Sequence, residues 1–208
     1  MAKPWAQSSG RKPPVRRLAR HLIVCEDKRS GADYLRSFQV PKHVAEITVV
    51  GGAGNTLSVV EKGIQLQQSA TAKGAPYAKV WCVIDRDDHP LDRYQQAFQL
   101  AARHPEFTVI WANECFELWY LLHFSYHTSA IGRDDLFQKL ARPDRLGKSY
   151  SKTDTTISVN LAPMRAQAIR HAGKLLDDVS DPRQPHLHNP STNLHELIEV
   201  LIVLTEAA

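Results

Sequence analysis

Four short, β-rich apolar runs, each followed by a stretch with helical spacing, fall within about 105 consecutive residues, and that alternation confines the chain to an α/β fold built on a parallel sheet. The runs occupy residues 21–25, 45–50, 79–84 and 107–111. They are continuously apolar rather than alternating, as strands covered by helices on both faces are. Between them the spacing predicts a helix over 32–39 carrying Leu35 and Phe38, and one capped by Thr56 and carrying Leu57, Val60, Ile64 and Leu66. A third opens at Pro90 and carries Tyr94, Phe98 and Leu100. The fourth run leads into an apolar helix over 115–124. After Phe124 the strand signals stop, and residues 136–140, 161–179 and 194–204 read as helices joined by polar, proline-containing loops.

The expected organisation is a flexible basic arm over 1–19, an α/β core over 20–125 and a helical C-terminal lobe over 126–208. Residues 1–20 hold six basic side chains (Lys3, Arg11, Lys12, Arg16, Arg17 and Arg20) and no acid, so the net charge of +4 leaves the remainder at −2. The pI of 9.0 therefore describes a basic arm on a nearly neutral body. Such an arm could touch nucleic-acid phosphates or serve as a disordered leader. With 208 residues, 43% of them apolar, the chain can bury a core without staples, which excludes collagen-like, disordered and disulfide-scaffold classes. No run of ~18 apolar residues is present to cross a bilayer, and no secretory leader is visible at the start. Three cysteines, Cys25, Cys82 and Cys115, lie in or beside apolar segments, as reduced thiols of a cytoplasmic protein do.

Ligands of open parallel sheets bind beyond the carboxyl ends of the strands, so the residues just past each strand are informative. Glu26 and Asp27 come after the first, and a glycine-rich loop with Gly52 and Gly54 comes after the second. Asp85, Arg86, Asp87, Asp88 and His89 succeed the third, and Asn113, Glu114 and then Glu117 succeed the fourth. Carboxylates from three strands meeting on one edge repel unless a cation lies among them, and Mg²⁺ or Mn²⁺ is the simple solution. Asp85 and Asp87, two apart where the strand unwinds, can turn toward one ion. Glu117 sits in a segment apolar nearly all round, so its carboxylate must be paired, protonated or metal-bound. Asn113, four residues earlier, is expected on the same helical face. Arg86, Asn113, Gly52 and Gly54 are placed to contact a substrate. The glycine loop is neither a P-loop nor a dinucleotide fingerprint. His186, His188 and His195 lack the spacing of a zinc site.

Four segments together resemble the RloB-like family: IVCED at 23–27, WCVIDRDD at 81–88, NECFELWYLLHF at 113–124 and NPST at 189–192. The resemblance covers about residues 18–205 of the chain. It implies a Toprim-like fold in which Glu26, Asp85 and Asp87 hold Mg²⁺ for phosphodiester chemistry. By similarity to the Toprim domains of overcoming-lysogenization-defect nucleases, Glu117 and Lys152 complete the site. It also implies a role in abortive phage defence beside an AAA/ABC-type ATPase. The chain departs from the family pattern in one place. Where a second acid is expected after the first strand, Gly31 stands, and Asp27 or Asp33 are the available substitutes.

The leading expectation is a metal-dependent nuclease acting on DNA or RNA, with Glu26 as ligand or general base, Asp85, Asp87 and Glu117 as ligands, and Lys152 on phosphate charge. The alternative is a catalytically weak or inactive Toprim-like subunit that binds and regulates. A doubly wound phosphatase ranks last, because its nucleophilic aspartate usually comes after the first strand. Edge strands and the C-terminal Leu/Ile/Val helix permit a homodimer.

Overall fold

The computed structural model describes residues 18–181 and 183–207. The expected basic arm lies outside the described residues except for Leu18 and Ala19. Arg20, counted with the arm's charge, sits in the first strand and pairs with Glu46 at 2.8 Å.

The strands are β1 (Ala19–Cys25), β2 (Ala45–Val50), β3 (Lys79–Asp85), β4 (Phe107–Asn113) and β5 (Ser191–Thr192), in the spatial order β2-β1-β3-β4-β5. The first four run parallel, with Ile23 opposite Val49 and Trp81, and Ile84 opposite Trp111. Helices α1 (Ser30–Arg36), α2 (Thr56–Ala72) and α3 (Leu91–Ala101) connect them. The C-terminal part comprises α4 (Glu117–Leu122), α5 (Arg133–Leu140), α6 (Ile157–Leu161), α7 (Arg165–Asp177) and α8 (Leu194–Glu206). It is an α/β fold with a mostly parallel sheet and a helical C-terminal part.

Successive strand side chains point to opposite faces, and each face has its own core. Leu22, Val24, Val80, Cys82 and Ile84 pack under α2 and α3, with Val59, Val60, Tyr94 and Ala97. Ile23, Cys25, Trp81, Val83 and Ile110 pack on the other face with α1, α4 and the C-terminal helices. All three cysteines are buried and unbridged. No helix among the described residues is long and apolar enough to cross a membrane.

Four expectations change in detail. The cap of α2 is Asn55, whose side chain accepts the Ser58 amide at 3.3 Å, while Thr56 is the first helical residue and is buried. The helix expected over 161–179 is split. Pro163 has no amide to donate to a preceding carbonyl, and a 3₁₀ turn over Ala162–Met164 separates α6 from α7. The strands do not stop at Phe124, because β5 adds an antiparallel edge with Thr192 opposite Ala112. Two residues carry no periodicity, and side chains fix that strand instead. Asn193 accepts the Trp111 amide at 2.9 Å, and the Thr192 hydroxyl donates to the Trp111 carbonyl at 2.6 Å. The sheet is therefore mixed rather than wholly parallel.

His123 closes the core at the end of α4 with no exposed surface. Its Nδ1–H donates to the Trp119 carbonyl at 2.8 Å, and its Nε2 lies 3.4 Å from the Tyr34 hydroxyl. Burial pushes its pKa down to about 4. A folded pKa below the unfolded one means that acid favours the unfolded chain, so this stability is lost as pH falls from about 6.5 toward 4. The expected size is about 3 kcal/mol. Denaturant titrations of wild type and His123→Gln at neutral pH and near pH 4 should show the gap between them shrinking by that order. A gap independent of pH would refute the assignment.

Candidate metal centre

The chain runs from β1 to β2 on one side and then to β3 on the other, so its order reverses between β1 and β3. A ligand crevice opens beyond the strand ends at such a reversal. Glu26 leaves β1 there, and Asp85 ends β3 beside it.

Glu26 is fixed on three sides. Its amide donates to the Val83 carbonyl at 3.2 Å, its Oε2 accepts the Asp85 amide at 3.4 Å, and its Oε1 lies 2.6 Å from His89 Nε2. One ligand atom each from Glu26, Asp87 and His89 all fall within 4.8 Å of one another. The loop carrying the last two is strongly shaped. Asp87 has φ +37°, and the Arg86 guanidinium donates to the Asp87 and His89 carbonyls at 2.9 and 2.7 Å. Amides of Arg86 and Asp87 donate to the Ala112 and Glu114 carbonyls, which ties the loop to the end of β4. The Asp87 carboxylate pairs with Arg133 from the first turn of α5.

A second group gathers around Glu117, the first residue of α4, which is fully buried. Its Oε1 accepts the Tyr150 hydroxyl at 2.6 Å and lies 3.7 Å from Lys152 Nζ, while its buried Oε2 has no hydrogen-bond partner. Lys152 Nζ also lies 3.5 Å from Asp27 Oδ2. Asp85 feels both groups. It is 8% exposed, and burial raises its pKa well above the usual carboxylate range, with Glu117, Asp87, Glu26 and Asp27 adding like-charge repulsion. Burial likewise raises Glu26, against the His89 hydrogen bond, and raises Asp87, against Arg133. Burial works against the Lys152 ammonium, but Glu117 and Asp27 outweigh it and its pKa rises. Burial and like charge together disfavour the ionised form of Asp85.

Glu26, Asp85, Asp87, Glu117 and Lys152 thus meet at one end of the sheet. The expected substrate contacts are otherwise engaged. Asn113 ends β4 rather than sharing a helix face with Glu117, and its amide donates to the His186 carbonyl at 3.2 Å. Arg86 staples its own loop. Gly52, at φ +75°, donates its amide to the Asp27 carbonyl at 2.9 Å, and a Cβ there would strike Lys28. Gly54 adopts φ +99° before the cap of α2. The glycine loop therefore supports the backbone that carries Glu26 and Asp27. Gly31 is buried against Phe116, and Asp33 is paired with Arg36 at 2.8 Å. Asp27 is the acid that joins the nest from this turn.

Sequence reasoning missed His89, Arg133 and Tyr150 as neighbours of the acids. Spacing could have suggested His89, two residues beyond Asp87. Arg133 and Tyr150 carry no local signal, since tertiary packing alone brings them in.

Fold and crevice define an α/β protein with carboxylates and an imidazole gathered at the switch point of its sheet. A family model described as RloB-like protein matches residues 21–201, and the chain belongs to that family. No curated protein and no solved structure matches it.

Proposed function

We propose that the chain is a divalent-metal-dependent nuclease, hydrolysing phosphodiester bonds of DNA or RNA and working in phage defence with an AAA/ABC-type ATPase. The observation that carries the reading is Asp85, a buried carboxyl whose ionised form is disfavoured by burial and by Glu117, Asp87 and Glu26 around it. The donor set suits a divalent ion. It offers several carboxylate oxygens and one imidazole nitrogen, and Glu117 Oε2 is buried without a partner. Such an orphan costs about 1–3 kcal/mol unless a ligand satisfies it.

Glu26, Asp85, Asp87 and Glu117 would hold the metal, which when bound would polarise the scissile phosphate and offset its charge. The remaining chemistry belongs to side chains. Glu26 would serve as a ligand or, with its pKa raised by burial, as the base that takes a proton from the attacking water. Lys152 and Arg133 bring positive charge from the C-terminal part toward the nest, where they can meet phosphate oxygens. The ATPase and the defence role rest on the family resemblance alone.

The test is direct. Purified protein, alone and with the ATPase encoded beside it, is incubated with DNA and with RNA in Mg²⁺, Mn²⁺ or chelator. Metal-dependent cleavage that chelator abolishes is the expected result. Binding without cleavage under every condition would instead favour a regulatory subunit, a reading that Gly31 in place of an expected acid supports.

A further inference from the structure

We propose that His89 is a metal ligand together with Glu26 and Asp87, and that this imidazole makes the centre select Mn²⁺ over Mg²⁺. The inference rests on the metal dependence proposed above and goes further, to the identity of the ion and the residue that chooses it.

Three observations carry it. First, the ligand atoms of Glu26, Asp87 and His89 lie within 4.8 Å of one another. Neighbouring ligand atoms in an octahedral shell of about 2.1 Å radius sit about 3 Å apart. The 2.6 Å from His89 Nε2 to Glu26 Oε1 is a few tenths of an ångström short of that. Second, the backbone is built to aim this ring. Positive φ at Asp87 turns the chain, and the Arg86 guanidinium grips the carbonyls of both Asp87 and His89. A freely solvated loop histidine needs no such brace. Third, no other histidine among the described residues forms an ion pair with a carboxylate. His123 and His171 direct Nδ1 at backbone carbonyls, and His186 stacks on Phe98 at 4.2 Å. In the adjoining group, the fully buried Glu117 keeps an Oε2 with no hydrogen-bond partner, a second carboxylate oxygen left for a ligand.

Donor type decides which ion fits. Mg²⁺ is hard, strongly hydrated and takes oxygen. Imidazole nitrogen suits the first-row transition ions, which bind nitrogen more tightly than Mg²⁺ does. Glu26, Asp87 and His89 supply three of about six positions in an octahedral shell, which leaves the others for Asp85, Glu117, water or phosphate. An all-carboxylate site would show a smaller preference, because it lacks the nitrogen donor.

Full-length protein is titrated with MnCl₂ and MgCl₂ by calorimetry, in wild type and His89→Gln. Wild type should bind Mn²⁺ at least about 10-fold more tightly than Mg²⁺, and the substitution should cost about 10-fold or more for Mn²⁺ while changing Mg²⁺ affinity little. Pulsed electron paramagnetic resonance of the Mn²⁺-loaded wild type should show nitrogen coupling from one imidazole. That signal does not depend on how the variant folds. Absence of nitrogen coupling, or equal losses for the two ions, overturns the role of His89 and leaves the nuclease reading standing. Failure of wild type to bind either ion overturns both.

Discussion

Asp85→Asn should cut metal-dependent cleavage by at least about 100-fold, the upper end of what outer-shell substitutions cost a metal site, and in the same protein raise the melting temperature measured in chelator. The two effects share a cause. Asp85 is buried, and its carboxylate is repelled by Glu117, Asp87, Glu26 and Asp27. Asparagine keeps the shape and removes the charge, so the metal-free fold is relieved of the repulsion. For a chain of this size, a gain of ~1 kcal/mol appears as about 2–4 °C. The pH dependence has a definite sign. A folded pKa raised above the unfolded one gives stability that is full below the unfolded value and lost as pH climbs through the raised value. The advantage of the variant therefore grows as pH climbs from the unfolded value through the raised one, and shrinks in acid. Saturating Mn²⁺ should reverse the order, since ligand at about 100 times its dissociation constant stabilises wild type by about 2.7 kcal/mol. Calorimetric scans with and without chelator read all of this. A variant that melts below wild type in chelator would show that Asp85 is held by contacts rather than strained by charge.

Much of this site is legible in the sequence, and the reason is topological. A parallel sheet delivers the residues after each strand to one edge, so apolar runs plus the acids behind them place Glu26, Asp85 and Asp87 together. Glu117 is legible because a carboxylate flanked by Phe116, Leu118, Trp119 and Tyr120 has to be buried. The illegible part depends on direction rather than adjacency. His89 comes after the acids in sequence, but its aim is set by one positive φ and by the Arg86 brace. Asn113 has helical spacing to Glu117, yet β4 extends through it and turns its amide to His186. Arg133 and Tyr150 arrive from helices and loops whose packing leaves no periodic trace around the residue itself. The edge strand β5 has the same character. Its two residues are held by Asn193 and Thr192 side chains bonding Trp111, contacts that span about 80 residues of chain.

Gly31→Glu, which restores the acid that the family resemblance implies after the first strand, should fail as a repair and should damage the fold. A Cβ at this position would lie 2.9 Å from the Phe116 ring, closer than side chains approach. The ring cannot simply swing aside. Phe116 is 3% exposed and packs edge-on against Tyr34 and Tyr120, with centroids 6.0 and 5.5 Å away. Overpacking of this kind costs about 1–3 kcal/mol, and a buried, unpaired carboxylate adds to it. The expected loss is about 3 kcal/mol or more, a fall of roughly 6–12 °C in melting temperature. Gly31→Ala separates the two terms, because it keeps the clash, gains up to about 1 kcal/mol of helix propensity and introduces no charge. It should melt within a few degrees of wild type. Phe116 immediately precedes Glu117, so displacing the ring also shifts the carboxylate that Tyr150 and Lys152 hold. Mn²⁺ affinity should therefore fall in Gly31→Glu rather than rise, although a carboxylate has been added. A variant that stays as stable as wild type and binds a second equivalent of metal would place position 31 in the site and assign the missing acid's role to it.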